Sequence, residues 1–137
     1  MDMYAETILE HYKHPHNHGI LKGNAEHKEY NPLCGDSVTI YLLIENDKVK
    51  DIKFVGNGCA ISQAATSLLT DEIKGKSLEE IKKLDRQDVL DLLGVEISPA
   101  RMKCALLGIK TLKLTVYDYM LKHNKKASEK DFEVKDE

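Results

Sequence analysis

The feature that most constrains this fold is a change of hydrophobic period along the chain. Along residues 37–44, every second side chain belongs to one apolar set: Val38, Ile40, Leu42 and Ile44. Such alternation is typical of a strand with one buried face, and residues 49–55 repeat it after a hairpin-like turn at residues 45–48. From there on, apolar residues recur at helical spacing: Ile61, Ala64, Ala65, Leu68, Leu69 and Ile73. This order predicts an α+β fold, a small antiparallel meander of about three strands covered by helices.

The flanking segments complete this architecture. The other predicted elements are a helix at 2–13 with Asp2 as N-cap, a polar edge strand at 24–30, short helices after Ser77 and Asp85, and a long C-terminal helix from Pro99 to about Lys122. Residues 1–122 are expected to form one domain. Residues 123–137 are mostly charged, with Phe132 and Val134 as the only large apolar side chains, and are expected to be a disordered tail.

Composition narrows the class of protein. Of the 137 residues, 42% are hydrophobic and 31% charged, as in a soluble globular domain. The net charge of −3 gives no basic surface for nucleic acid. No apolar run approaches the roughly 18 residues that a membrane span needs, and the N-terminus lacks the layout of a secretory signal. Three cysteines cannot all pair, so we expect them to be thiols, metal ligands or redox groups, in a cytoplasmic protein.

Each cysteine lies in a local context that leaves its sulfur reachable. Cys34 comes just before the first long strand, and Asp36 faces the same way two residues later in an extended segment. Cys59 follows a glycine-bearing loop and opens a helix, whose N-terminus favours a thiolate. Cys104 lies in the last helix. Taken singly, each could be a small buried hydrophobe. Together with Asp36 they offer three thiolates and one carboxylate, a four-coordinate set for a soft metal with one harder ligand.

Cys104 is the most informative of the three, because it lies on the side of its helix away from the main apolar stripe. The small residues Ala100 and Gly108, one turn away on either side, would leave room around the sulfur. Lys103 adds positive charge that could stabilise an anion there. A solvated lysine is an equally good interpretation of Lys103.

Four histidines in the N-terminal segment also raise the question of a metal: His11, His14, His16 and His18. Histidine suits the negative end of a helix, and Pro15 breaks the helix and should leave these rings without a fixed geometry. We therefore interpret them as a polar helix end and turn.

Four segments carry a resemblance to a known family. They are His11-Tyr12 with Pro15, Asn17 and Gly19; Cys34-Gly35-Asp36; Gly58-Cys59-Ala60-Ile61-Ser62; and Arg101-Met102-Lys103-Cys104. In order and spacing they resemble the IscU/SufU family, also called NifU N-terminal-like, from about Tyr4 to about Met120. The resemblance implies a scaffold for iron–sulfur cluster assembly, not an enzyme, with ligands at Cys34, Asp36, Cys59 and Cys104. A cysteine desulfurase would supply sulfur as a persulfide, iron would join it, and a transient [2Fe–2S] cluster would pass to apo-proteins.

The resemblance leaves alternatives open. IscU-type members carry a histidine where this chain has Lys103, and a chaperone-binding stretch where it has residues 97–101. The Arg-x-Lys-Cys pattern is similar to SufU-type members, zinc-dependent sulfurtransferases, in which case Cys104 is the candidate persulfide acceptor. Zinc could also occupy the site in the absence of a cluster, or serve a purely structural role. Yet the 45 residues from Cys59 to Cys104 leave no room for the insertion that SufU-type proteins carry. A homodimer is left open.

Overall fold

The computed structural model describes residues 3–32 and 35–134. Its helices are α1 (Met3–Lys13), α2 (Ala60–Ile73), α3 (Leu78–Lys83), α4 (Arg86–Leu93) and α5 (Pro99–Lys122). Its strands are β1 (Ala25–Tyr30), β2 (Ser37–Glu45) and β3 (Lys48–Asn57), and a 3-10 helix spans Glu129–Phe132. The predicted α+β class with a long C-terminal helix is confirmed. Asp2, the predicted N-cap of the first helix, lies outside the described residues.

The three strands form an antiparallel sheet in the order β1-β2-β3. Asn46 and Asp47 connect β2 to β3 with φ values of 53° and 59°, the left-handed geometry expected of a tight hairpin. A register shift between Leu43 and Ile44 pairs Ile44 with Val49, so that Val49 and Ile52 are both buried although they are three residues apart. The sheet therefore presents one continuous apolar face to the helices.

Helix α2 is buried on more sides than its apolar stripe predicts. It contacts α1, α4, α5 and β3, and its buried residues include the polar side chains Ser62, Gln63, Thr66, Ser67 and Thr70. The hydroxyl of Thr66 donates to the carbonyl of Ser62 at 2.8 Å, and that of Thr70 to the carbonyl of Ser67 at 2.7 Å. Because these hydroxyls are satisfied within the helix, small polar residues can occupy the interior at low cost.

Helix α5 crosses α2 at a close contact between Gly108 and Thr66. A Cβ at Gly108 would lie 3.1 Å from Cβ and 3.2 Å from Cα of Thr66, closer than ordinary van der Waals contact. The small size of Gly108 thus allows the two helices to approach each other closely. The sequence indicates a different role for Gly108, which is to leave room around the Cys104 sulfur. This approach brings the first half of α5 toward α2.

The short helices α3 and α4 begin after the N-cap residues that the sequence predicts. Ser77 and Asp85 each form a complete capping box, and Gly94 ends α4 with a φ of 67°. None of the helices in the described part of the chain is long and apolar enough to cross a membrane.

The C-terminal segment differs from its sequence prediction where it is described. Residues 129–132 form the 3-10 helix, and Phe132 is only 5% exposed. Its ring centroid lies 5.2 Å from that of Tyr117 on α5. Phe132 packs on the core together with the partly buried Ala127 and Val134, and burying an aromatic ring removes a large apolar area from water. The domain boundary at residue 122 stays a prediction.

Candidate metal centre

Three of the four predicted ligands lie together. Asp36, Cys59 and Cys104 each offer one ligand atom, and these atoms are all within 4.8 Å of one another. They come from the loop before β2, the N-cap of α2 and the second turn of α5. Residues that are 68 positions apart at the extremes thus converge at one end of the sheet. The fourth predicted ligand, Cys34, lies outside the described residues, and its ligand role stays a prediction.

Backbone hydrogen bonds with Asn31 hold Asp36 and Gly35 in place. The backbone N–H of Asn31 donates to the carbonyl of Asp36, and that of Gly35 donates to the carbonyl of Asn31, both at 2.8 Å. Gly35 has a φ of 78°, a left-handed conformation that glycine adopts without strain. The loop therefore fixes where the Asp36 side chain leaves the backbone.

The Asp36 carboxyl group is buried and incompletely satisfied. The residue is 4% exposed, and among the described residues its Oδ2 has no hydrogen-bond partner. Leaving a buried polar oxygen without a hydrogen-bond partner costs about 1–3 kcal/mol, and more when the group is charged. A cation bound by the neighbouring sulfurs would supply the missing partner. The donor set therefore fits a soft metal ion or an iron–sulfur cluster.

A glycine makes room for this carboxyl group. A Cβ at Gly58 would lie 2.5 Å from Cγ and 2.7 Å from Oδ1 of Asp36, and 2.8 Å from Oγ of Ser62. The glycine-bearing loop before Cys59 thus allows the close approach expected from the sequence. The group that approaches is the Asp36 side chain, which the sequence alone does not identify.

Cys59 occupies the N-cap of α2 with extended backbone angles, φ −74° and ψ 166°. Its side chain makes no capping hydrogen bond, and the hydroxyl of Ser62 donates to its carbonyl at 3.2 Å. The helix dipole places partial positive charge at this end of α2, which favours an anionic group there.

Cys104 is 5% exposed and begins a run of buried residues on α5 that extends to Ile109, so it is less accessible than its sequence context indicates. Lys103 beside it is exposed. Lys103 and Lys110 line a cavity of about 240 Å³ together with Glu29, Tyr30, Asn31, Pro32 and Leu107. The cavity lies between α5 and the segment that precedes Asp36, and two of its lining residues are lysines.

Replacing Gly58 by alanine is expected to displace the Asp36 carboxyl group and weaken Zn²⁺ binding about tenfold or more, the usual cost of losing the support of a ligand. Overpacking should also lower the free energy of unfolding by about 1–3 kcal/mol. Chelator competition and urea unfolding measure the two effects. Asn57→Ala, at the exposed preceding position, is the control. Wild-type Zn²⁺ affinity in Gly58→Ala would show that Asp36 needs no such contact.

Comparison with known proteins places this chain in one family. The family described as the NifU-like N-terminal domain matches residues 3–126. "Zinc-dependent sulfurtransferase SufU" of Bacillus subtilis (strain 168) is 36% identical over 127 residues, spanning 80% of this chain and 86% of the relative. "Iron-sulfur cluster assembly scaffold protein IscU 1" of Archaeoglobus fulgidus is 34% identical over 124 residues, spanning 90% of this chain and 80% of the relative.

A solved structure agrees with these sequences. The crystal structure described as a putative iron–sulfur cluster assembly scaffold protein for the SUF system, from Fervidobacterium islandicum AW-1, superposes with a TM-score of 0.67 at 33% identity. The match covers 81% of this chain and 94% of the other. The chain belongs to the NifU N-terminal, or IscU/SufU, family of iron–sulfur cluster assembly proteins. Scaffold and sulfurtransferase relatives match it at similar identity.

Proposed function

We propose that this protein is a scaffold and carrier on which a labile [2Fe–2S] cluster is assembled and then passed to apo-proteins. The observation that carries the proposal is the buried Asp36 carboxyl group beside the Cys59 and Cys104 sulfurs, with one oxygen that has no partner in the part of the chain that the structure describes. Cys34 is the proposed fourth ligand. The cluster is the cargo of the protein, and a cysteine desulfurase and apo-protein acceptors are its proposed partners in the cytoplasm.

The ligand set suits transfer better than storage. Thiolates bind the iron of such clusters well, whereas a carboxylate is a harder and poorer partner. The bond between Asp36 and iron is therefore the one that an acceptor thiolate displaces most easily. An electron-transfer protein gains from four thiolates, while a carrier gains from one ligand that leaves easily.

The relatives differ in how many of their residues have no counterpart in this chain. The alignment with the SufU relative has 127 positions but spans only 80% of the 137 residues of this chain, which is about 110 residues. About 17 aligned positions of that relative therefore have no counterpart in this chain. The alignment with the IscU relative of Archaeoglobus fulgidus has 124 positions and spans 90% of this chain, or about 123 residues, so it has almost no such gaps. Relatives named as IscU scaffolds from Streptococcus pyogenes and Thermotoga maritima align over 130 and 128 positions with 81% of this chain, about 111 residues. The segment that this chain lacks therefore does not separate scaffold relatives from the sulfurtransferase relative.

Lys103 favours a second candidate, a zinc-dependent sulfur acceptor. Lys103 is exposed, directly precedes Cys104 in the sequence and lines the same cavity as Lys110. In that function the Cys104 thiolate attacks the outer sulfur of the desulfurase persulfide. The new S–S bond forms on Cys104, the desulfurase thiolate leaves, and no net oxidation occurs. Zn²⁺ would hold the remaining ligands and keep the thiolates deprotonated.

Metal and acid-labile sulfide analysis on protein isolated without oxygen separates the two functions. The scaffold requires iron and sulfide in near-equal amounts with visible charge-transfer bands, either as isolated or after anaerobic reconstitution. Failure of reconstitution to produce sulfide-dependent visible absorption would contradict it. Stoichiometric Zn²⁺ with that failure, and desulfurase stimulation that disappears in Cys104→Ser, would establish the sulfur acceptor. If removing Zn²⁺ unfolds the domain and no sulfur is transferred, the metal is structural.

A further inference from the structure

A second group of metal-binding side chains lies apart from the cysteine site. His11, His16 and Asp71 each offer one ligand atom, and these atoms are all within 4.8 Å of one another. The two imidazole centroids are 4.2 Å apart. Asp71 follows Cys59 by 12 residues on the same helix, which at a rise of about 1.5 Å per residue separates the two sites by about 18 Å.

The histidine rings are held in place by α2. Nδ1 of His11 lies 2.7 Å from Oγ of Ser67, and the backbone N–H of His16 donates to the same oxygen at 2.8 Å. With Nδ1 engaged, Nε2 of His11 is the atom left to bind a metal, the arrangement that outer hydrogen bonds usually impose on ligating histidines. The expectation that Pro15 leaves these rings without a fixed geometry is therefore wrong for His11 and His16.

The carboxyl group of Asp71 is oriented as well. Its Oδ1 accepts a hydrogen bond from Nδ2 of Asn17 at 2.9 Å, and its Oδ2 lies 2.6 Å from Nδ1 of His16. Two ligands of one tetrahedral ion with bonds near 2.0 Å lie about 3.3 Å apart, so the pair needs to separate by less than about 1 Å to admit an ion. His11 is 7% exposed, while the side chains of His16 and Asp71 are each 48% exposed, which leaves the group open to solvent on one side.

We propose that His11, His16 and Asp71 form a second metal site, which binds a divalent first-row transition metal ion with water completing its coordination. Two imidazoles and one carboxylate suit Zn²⁺ and its neighbours better than Ca²⁺ or Mg²⁺, which prefer oxygen ligands. The ion ties the end of α1 and the following turn to α2. It is independent of the cluster and of the sulfur that the cysteine site handles.

Titration with Co²⁺ alone tests this site in the intact protein, because only the cysteine site gives sulfur-to-cobalt charge-transfer absorption. The wild type should bind two Co²⁺ per chain, and the second should add no charge-transfer intensity. Asp71→Asn, which keeps the shape of an exposed side chain, and His16→Asn should each bind one Co²⁺ with the charge-transfer band intact. His14→Asn, an exposed neighbour outside the group, should still bind two.

Two results would overturn the second site. One is a wild type that saturates at a single Co²⁺ with full charge-transfer intensity, which would leave the three side chains as a hydrogen-bonded network only. The other is retention of two Co²⁺ in both Asp71→Asn and His16→Asn. Far-ultraviolet circular dichroism of the metal-free variants checks that they are folded. In the wild type, Zn²⁺ should also shift the His11 and His16 imidazole resonances while leaving those of His14 in place.

Discussion

Replacing Asp36 by alanine is expected to lengthen the lifetime of a reconstituted [2Fe–2S] cluster about tenfold and to slow its transfer to an acceptor by a similar factor. The proposed ligand set places three thiolates and one carboxylate around the cluster, and the substitution lowers the formal negative charge of that buried site by one. Two like charges about 4 Å apart repel by about 4 kcal/mol at an effective dielectric constant near 20. Relief of about a third of that amount accounts for a tenfold change in rate.

Decay of the visible absorption under argon with excess chelator measures the lifetime, and appearance of a holo-acceptor measures transfer. Asp36→Asn separates charge from shape, since it keeps the bulk beside Gly58 and removes the anion. Glu72→Ala makes the same change of net charge at an exposed position far along α2 and should leave both rates unchanged. A cluster lifetime unchanged in both Asp36 variants would rule out the carboxylate as the labile ligand.

The sequence predicts the parts of this fold that depend on local pattern. The alternation along β2 and the residues Asn46 and Asp47 fix a hairpin, because side-chain period and turn geometry act over a few residues. The same holds for Cys59, whose position at a helix start follows from the preceding loop. Its meeting with Asp36 and Cys104 depends on tertiary packing, and the family resemblance provides that expectation.

Features that depend on contacts between distant elements are not visible in local pattern. Thr66 has a polar side chain yet is buried, because its hydroxyl donates a hydrogen bond to a carbonyl of its own helix. His16 and Asp71 are 55 residues apart in sequence, and they meet only because the segment after α1 packs on α2. Counting histidines near Pro15 could not reveal this contact, since the partner that fixes the rings lies in another element.

Replacing Gly108 by alanine is expected to lower the free energy of unfolding by about 2 kcal/mol, although alanine is the better helix former. Alanine should gain up to about 1 kcal/mol over glycine within a helix. Against this, the new Cβ would collide with Oγ1 of Thr66 and lie 3.2 Å from its Cα, which no change of rotamer relieves. Overpacking of this kind costs about 1–3 kcal/mol, and a backbone contact places it at the upper end.

Urea unfolding of Gly108→Ala, Thr66→Ala and the double variant measures this contact as a coupling energy. Removing the Thr66 hydroxyl and methyl should recover about 1 kcal/mol or more of the loss. Gly108 follows Cys104 by four residues, about 6 Å along α5, so the same displacement should weaken Zn²⁺ binding at the cysteines. Recovery of Zn²⁺ affinity in the double variant would show that the α2–α5 contact sets the distance between Cys59 and Cys104. An unfolding free energy that rises in Gly108→Ala would mean that helix propensity outweighs the contact and that the helices move apart freely.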